Sequence, residues 1–333
     1  MSELDKQVTL CRNELELHPE GHPNRTNLLY DLGFLLYDRF YERGEMTDLD
    51  EALALHRETL SLRPEGHPHR APSLSGVAKC LNARFTQFGM LPDLEEALAL
   101  ERNALELCPQ GHPDRAHLLV NLANYHYSRF TQLGMLFDLD EVLTLERSAL
   151  ELHPQDHPDR AALLSNIARC LDSRFKQLGA LSDLDEALAL ERNALEFLPQ
   201  SHPDRVLSLG NLADYFHSRF TRLGMLSDLD EALALQRNAL ELRPQGHPHR
   251  LVSLSRIANY LHTRFTQVGM LSDLNEALTL ERDMELQGHP NRAVSLSNIA
   301  RCSEHYLTLT RPLPLSAVDW NFAHRAILIE PFR

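Results

Sequence analysis

No run of about 18 apolar residues occurs in this chain, and no basic start leads into an apolar stretch. Neither a membrane span nor a secretory leader is therefore expected. Basic residues are short as well: 33 Lys and Arg stand against 47 Asp and Glu, a formal net charge of −14. Duplex binding draws on cations that neutralise phosphates, so no nucleic-acid partner is expected. Cysteine is sparse too. Five in 333 residues do not make a disulfide framework, and none sits in a Cys/His signature, so no cysteine catalysis is expected. These absences point to an intracellular, cytoplasmic protein.

What the chain has in abundance is itself. A His-Pro pair at His22, His67, His112, His157, His202, His247 and His289 recurs at intervals of 45 residues, the last shortened to 42. A fixed period in this range marks a repeat array in which each unit buries its apolar face against its neighbours. The stretch from Ser2 to Glu20 aligns without a gap on Ser227 to Gln245, so the chain opens in the second half of a unit.

Each unit reads as two helices. The first opens at His-Pro-Asp/Asn/His-Arg, with proline expected at the first helical position and an acidic residue such as Asp114, Asp159 or Asp204 at the positive helix end. Apolar positions follow at helical spacing, as in Leu119, Leu122, Ala123, His126 and Phe130. A glycine, Gly44 through Gly269, is placed to cap the helix in the left-handed conformation. The second helix opens with Asp-x-x-Glu, for example Asp48 and Glu51, which reads as a capping box, and proline ends it. Helices of about 20 and 15 residues are expected. The fold class is thus all-α: an α-solenoid of about fifteen helices, a single array over 1–333. Within it 1–20 is a half repeat, 21–287 six helix pairs, and 288–333 a divergent last repeat carrying the only tryptophan, Trp320. The shortened interval predicts a kink between Met284 and Gly288.

The residues carry a family resemblance. Ala97, Ala104 and Pro109, then Ala187, Ala194 and Pro199, then Ala232, Ala239 and Pro244, with Leu-Gly or Leu-Ala pairs such as Leu32-Gly33 and Leu122-Ala123, resemble tetratricopeptide repeats over essentially the whole chain. The period exceeds the family's usual 34 residues. The aromatic expected four residues after the first Ala is replaced by His56, Glu101, Glu146, Glu191, Gln236 or Glu281. The long period is most similar to the arrays that precede CHAT peptidase-like domains in fungal proteins, and related in style to kinesin light chain repeats. The catalytic His and Cys of a CHAT domain have no counterpart in this sequence.

The seven His-Pro histidines look like a metal array. Neighbouring copies should stand about 10 Å apart, too far to share an ion, so they read as helix-entry residues and no metal or other cofactor is expected. The arginines Arg25 through Arg292 and Arg39 through Arg264 read as partners of the Asp and Glu of the DLDE segment, and Arg-Phe as a clamp between repeats with Phe40 through Phe265 as core. Cys80 and Cys170 share a register with Tyr125, Tyr215 and Tyr260 and read as buried hydrophobes.

Binding is expected on the inner face of the first helices, which the resemblance implies is a concave groove. Tyr30, Phe34, Tyr37, Lys79, Asn82, Asn124, Tyr127, Arg169, Asp172, Asp214, His217, Asn259, His262, Arg301 and Glu304 face it by helical spacing and vary between copies. Asn121, Asn166, Asn211 and Asn298 stand where some family members hold a peptide backbone with an asparagine ladder; bridging of helices within the scaffold is the competing reading. The expectation is a non-enzymatic scaffold for a protein or peptide partner. The alternative is the sensor portion of a CHAT-type protease.

Overall fold

A computed structural model describes residues 2–247 and 249–286. Among them are thirteen α-helices and no strand. They are α1 (Glu3–Leu17), α2 (Arg25–Arg43), α3 (Met46–Ser61), α4 (Arg70–Phe88), α5 (Leu91–Leu107), α6 (Arg115–Leu133) and α7 (Phe137–Leu152). There follow α8 (Arg160–Leu178), α9 (Leu181–Phe197), α10 (Arg205–Leu223), α11 (Leu226–Glu241), α12 (Arg250–Val268) and α13 (Leu271–Leu286). Even-numbered helices are the first, and odd-numbered the second, of each repeat. The remaining expectations, among them Asn298, Arg301, Glu304, Trp320 and the last two helices, lie outside the described residues.

The chain divides into two compact units, one ending at Phe197 and one beginning at Leu198. In the first, α2 with α3, α4 with α5, α6 with α7 and α8 with α9 pack as hairpins, and each hairpin packs on the next. The first helices form one layer, since α4 touches both α2 and α6. The second unit repeats the pattern with α10, α11, α12 and α13. The repeated letters explain the packing: Leu122, Ala123 and Phe130, with Leu139 and Leu143 from the second helix, are buried, as are Cys80, Cys170 and their register mates Tyr125 and Tyr215.

Glycine ends every described first helix, as expected. Gly44, Gly89, Gly134, Gly179, Gly224 and Gly269 take φ between 67 and 75°, and each amide donates to the carbonyl of the repeat phenylalanine four residues back. That backbone region is costly for any residue with a Cβ.

Three local expectations are corrected. Proline does not start the first helix; it lies in a tight turn, and the helix begins two residues later at arginine. The His-Pro histidine shapes this turn, its Nδ1 accepting the amide of the residue two places on, at 3.1 to 3.2 Å for His22, His67, His112, His157, His202 and His247. The Asp of Asp-x-x-Glu does not cap either. It lies inside the first turn and is buried, and arginine from the preceding helix takes both its oxygens: Arg39 Nε and Nη2 donate to Asp48 at 2.7 and 2.6 Å, and Arg84 to Asp93 at 2.6 and 2.7 Å. The clamp therefore joins the two helices of one repeat. A third arm reaches the preceding repeat in places, as from Arg174 Nη1 to Asp140 at 2.8 Å. Finally, Arg25, Arg70, Arg115, Arg205 and Arg250 turn to the backbone instead of the DLDE carboxylates expected for them. They donate to carbonyls at the end of the previous helix, as Arg115 does to Cys108 at 2.7 Å. This satisfies carbonyls that a helix end leaves open.

Candidate functional site

The interior of the first unit holds a row of acids. Glu101, Glu146 and Glu191 are 0, 1 and 0 % exposed, all at the register where the resemblance expects an aromatic. Ser75 Oγ and Asn121 Nδ2 donate to Glu101 Oε1 at 3.0 and 2.9 Å, while Glu101 Oε2 has no hydrogen-bond partner. Asn166 Nδ2 donates to Glu146 Oε1 at 3.2 Å, and Ser165 to Glu191 at 2.9 Å. Burial pushes the Glu101 and Glu146 carboxyls up to about 7, against the pull of these donors and of nearby Lys79 and Arg169. Sealed from solvent, they brace the scaffold and cannot reach a ligand.

Above them opens a cleft of about 890 Å³. Its walls come from α1 and from four successive first helices: Tyr37 and Tyr41 of α2, Lys79 and Asn82 of α4, Asn124 and Tyr127 of α6, and Arg169 of α8. The Arg169 guanidinium lies 4.1 Å from the Tyr127 ring centroid, and the Tyr127 hydroxyl is 3.2 Å from Ser173 Oγ. The Lys79 ammonium reaches His117 Nε2 at 3.1 Å and sits over Phe34. Burial lowers the affinity of both Lys79 and His117 for protons, and the positive charge of Lys79 lowers that of His117 further. Asp38, Glu42 and Glu3 line the same cleft and balance the cations.

Of the residues singled out from sequence, the structure thus gathers Tyr37, Lys79, Asn82, Asn121, Asn124, Tyr127 and Arg169 in one cleft. Asn121 contributes only its edge, its amide nitrogen being turned inward to Glu101 and Ser75. Asn166 lines a separate cavity of about 310 Å³. Asp172 is buried and takes a bond from Lys176 at 2.5 Å. In the second unit, Asp214 is paired with Arg256 at 2.8 Å and accepts the Tyr260 hydroxyl at 2.7 Å. His217 stacks on the Tyr260 ring, His262 is buried, Asn211 is half-buried and Asn259 is exposed.

Hairpins at a 45-residue period, each leaning on the next, can be compared with known proteins. No family model matches the chain, and no curated protein matches it. Among solved structures, an assembly chaperone of RpL4 is similar at 15% identity over 84% of this chain and 98% of its own, with a TM-score of 0.51. A putative kinesin light chain of Podosopora anserina with nearly identical TPR-like repeats matches 67% of this chain and 99% of its own, at 19% identity and a TM-score of 0.47. The fold is a tetratricopeptide-like α-solenoid. No described helix of this solenoid is long and apolar enough to cross a membrane.

Sequence reasoning missed the acid row as a structural element, although the array announced it by replacing an aromatic with Glu. The partners recur at constant offsets, a serine 26 residues earlier in Ser75 and Ser165 and an asparagine 20 later in Asn121 and Asn166. The α1 wall of the cleft left no signal, because Glu3, Leu4 and Gln7 enter it only through the packing of a half repeat.

Proposed function

We propose that the first unit is a non-catalytic scaffold holding an extended segment of a protein partner in the cleft between α1 and α8. The observation that carries this reading is the cleft itself: about 890 Å³, walled by the first helices of four consecutive repeats, with two register positions, that of Tyr37, Asn82 and Tyr127 and that of Lys79, Asn124 and Arg169, each recurring in three of them. Those positions are the ones that change from copy to copy, while the clamp, turn and cap residues recur. Phenol and amide groups from Tyr37, Tyr41, Asn82, Asn124 and Tyr127 offer donors, acceptors and flat apolar surface together, which suits a peptide chain. The perturbed acids beneath are structural, so nothing in this cleft calls for chemistry.

Charge reversal of Lys79 or Arg169 is a poor test, because each also faces a buried glutamate. Asn124→Arg combined with Asn82→Arg fills the cleft from its partly exposed wall and leaves the interior alone. Affinity capture followed by mass spectrometry should recover partners with the parent chain that are lost with the double variant, both melting alike. Recovery of the same proteins by both rejects the cleft.

A further inference from the structure

We propose that His153, His157 and Asp159 bind a divalent transition ion of the zinc class at the joint between α7 and α8. One ligand atom from each lies within 4.8 Å of the others. The three residues meet at a single junction, where His153 ends α7 and the His-Pro histidine four residues later opens the next repeat, so the distance that separates successive His-Pro histidines does not arise.

The two imidazoles stand nearly perpendicular, 77° between planes with centroids 4.2 Å apart. His153 Nδ1 lies 2.7 Å from the Ala149 carbonyl, which can only accept; the proton is thereby fixed on Nδ1, and Nε2 presents its lone pair. A carbonyl that orients the far nitrogen in this way is the usual support of a metal-bound histidine. His157 Nδ1 takes the Asp159 amide at 3.2 Å, a bond near the long limit that ligation through Nδ1 would replace. The Asp159 carboxylate, 71 % exposed, sits 3.8 Å from the same nitrogen. Ligands about 2 Å from a tetrahedral ion lie roughly 3.3 Å apart, so closure needs side-chain movements of about an ångström. The cavity of about 310 Å³ beside Asn166 leaves room for the ion and its remaining waters. Two imidazoles with one carboxylate favour zinc, copper or nickel over calcium or magnesium.

The repeats supply their own controls. His18 and His22 form the same perpendicular pair, with centroids 4.2 Å apart and His18 Nδ1 on the Glu14 carbonyl at 2.6 Å, but Asn24 stands where Asp159 does. The other copies have Arg63, Cys108, Leu198, Arg243 or Glu285 in place of His153. Only the copy at 153–159 combines both histidines with the carboxylate.

Zinc chloride titrated calorimetrically into the full chain should show one tight site per chain and raise the melting temperature. His153→Ala should weaken that site tenfold or more, and Asp159→Asn, which recreates the first repeat, should weaken it severalfold while leaving the fold intact. His18→Ala should change nothing. Absence of a tight site in the parent chain, or a site that survives both His153→Ala and Asp159→Asn, overturns the proposal.

Discussion

Between His56 and the helices that enclose it there is no room for a methyl group. A Cβ on Gly33 would stand 2.8 Å from the His56 ring, and one on Gly76 2.7 Å from its Nδ1. Both glycines occupy positions that other copies fill with alanine and asparagine, Ala78 and Asn121 for instance. The imidazole that replaces glutamate in the first repeat is therefore accommodated by shrinking both of its neighbours. Gly76→Asn should destabilise the parent chain by about 1–3 kcal/mol, the usual cost of overpacking. The same change beside His56→Glu should cost much less, since it rebuilds the Glu101–Asn121 pairing; equal penalties in both backgrounds, by thermal denaturation, would refute the linkage.

The glutamates make a second residue-scale claim. The folded-state pKa of Glu101 and Glu146, about 7, stands above the ordinary value of 4.5. The folded form then binds more protons than the unfolded one between those limits, so this contribution to stability is full below pH 4.5 and fades as pH rises through 7. Glu101→Gln should match the parent near pH 5 and exceed it by roughly 2–3 kcal/mol at pH 8, since raising a carboxyl's pKa by one costs the charged form about 1.4 kcal/mol. A gap that does not grow with pH between the two denaturation series would contradict the assignment.

At the scale of the element, the arginine–aspartate clamp decides how each helix pair closes. Asp93 has a side chain 7 % exposed, and Arg84 holds both its oxygens. Arg84→Ala leaves a nearly buried carboxylate without its partner and should cost about 3 kcal/mol, whereas Arg84→Leu with Asp93→Leu should recover much of the loss. A double variant as unstable as the single one would show that the pair does more than neutralise itself. This is also where legibility from sequence ran out. Period, hairpins, glycine caps and the buried phenylalanines were all readable, because each follows from local spacing. Asp-x-x-Glu at a helix start fits a capping box as well as a clamp, and only an arginine nine residues upstream, brought close by the turn, decides between them. For Asn121 the sequence left two readings, a peptide ladder and a bridge between helices; its amide turns to a buried acid, the bridging arrangement, which one helix wheel cannot show.

At the scale of the molecule, each repeat meets only its neighbours, so stability should accumulate repeat by repeat within a unit. Removing one period tests this. Deletion of 115–159 brings Asn166 to the place of Asn121, opposite Glu101, and Arg174 near Glu95 in place of Asp140; the shortened chain should keep its helicity per residue by circular dichroism and melt cooperatively. Deletion of 70–114 sets Asn121 against His56, where Gly76 had been, and should melt far lower. Equal behaviour of the two deletions would mean that the buried register does not control which repeats can adjoin.

The row of Glu101, Glu146 and Glu191, flanked in register by His56 and Gln236, bears on how such a gene can change. Tandem copies invite unequal crossing-over, which adds or drops whole periods. Because Glu101 is gripped by Ser75 of its own copy and Asn121 of the next, a recombinant in the first unit should keep its stability only when the two copies meeting at the new junction match. Facing Gln236 are Gly210 and Arg256, a set unlike that around Glu101. His56 and Gln236 therefore act as keys: copies beside them are tied to their place, while those between can be gained or lost.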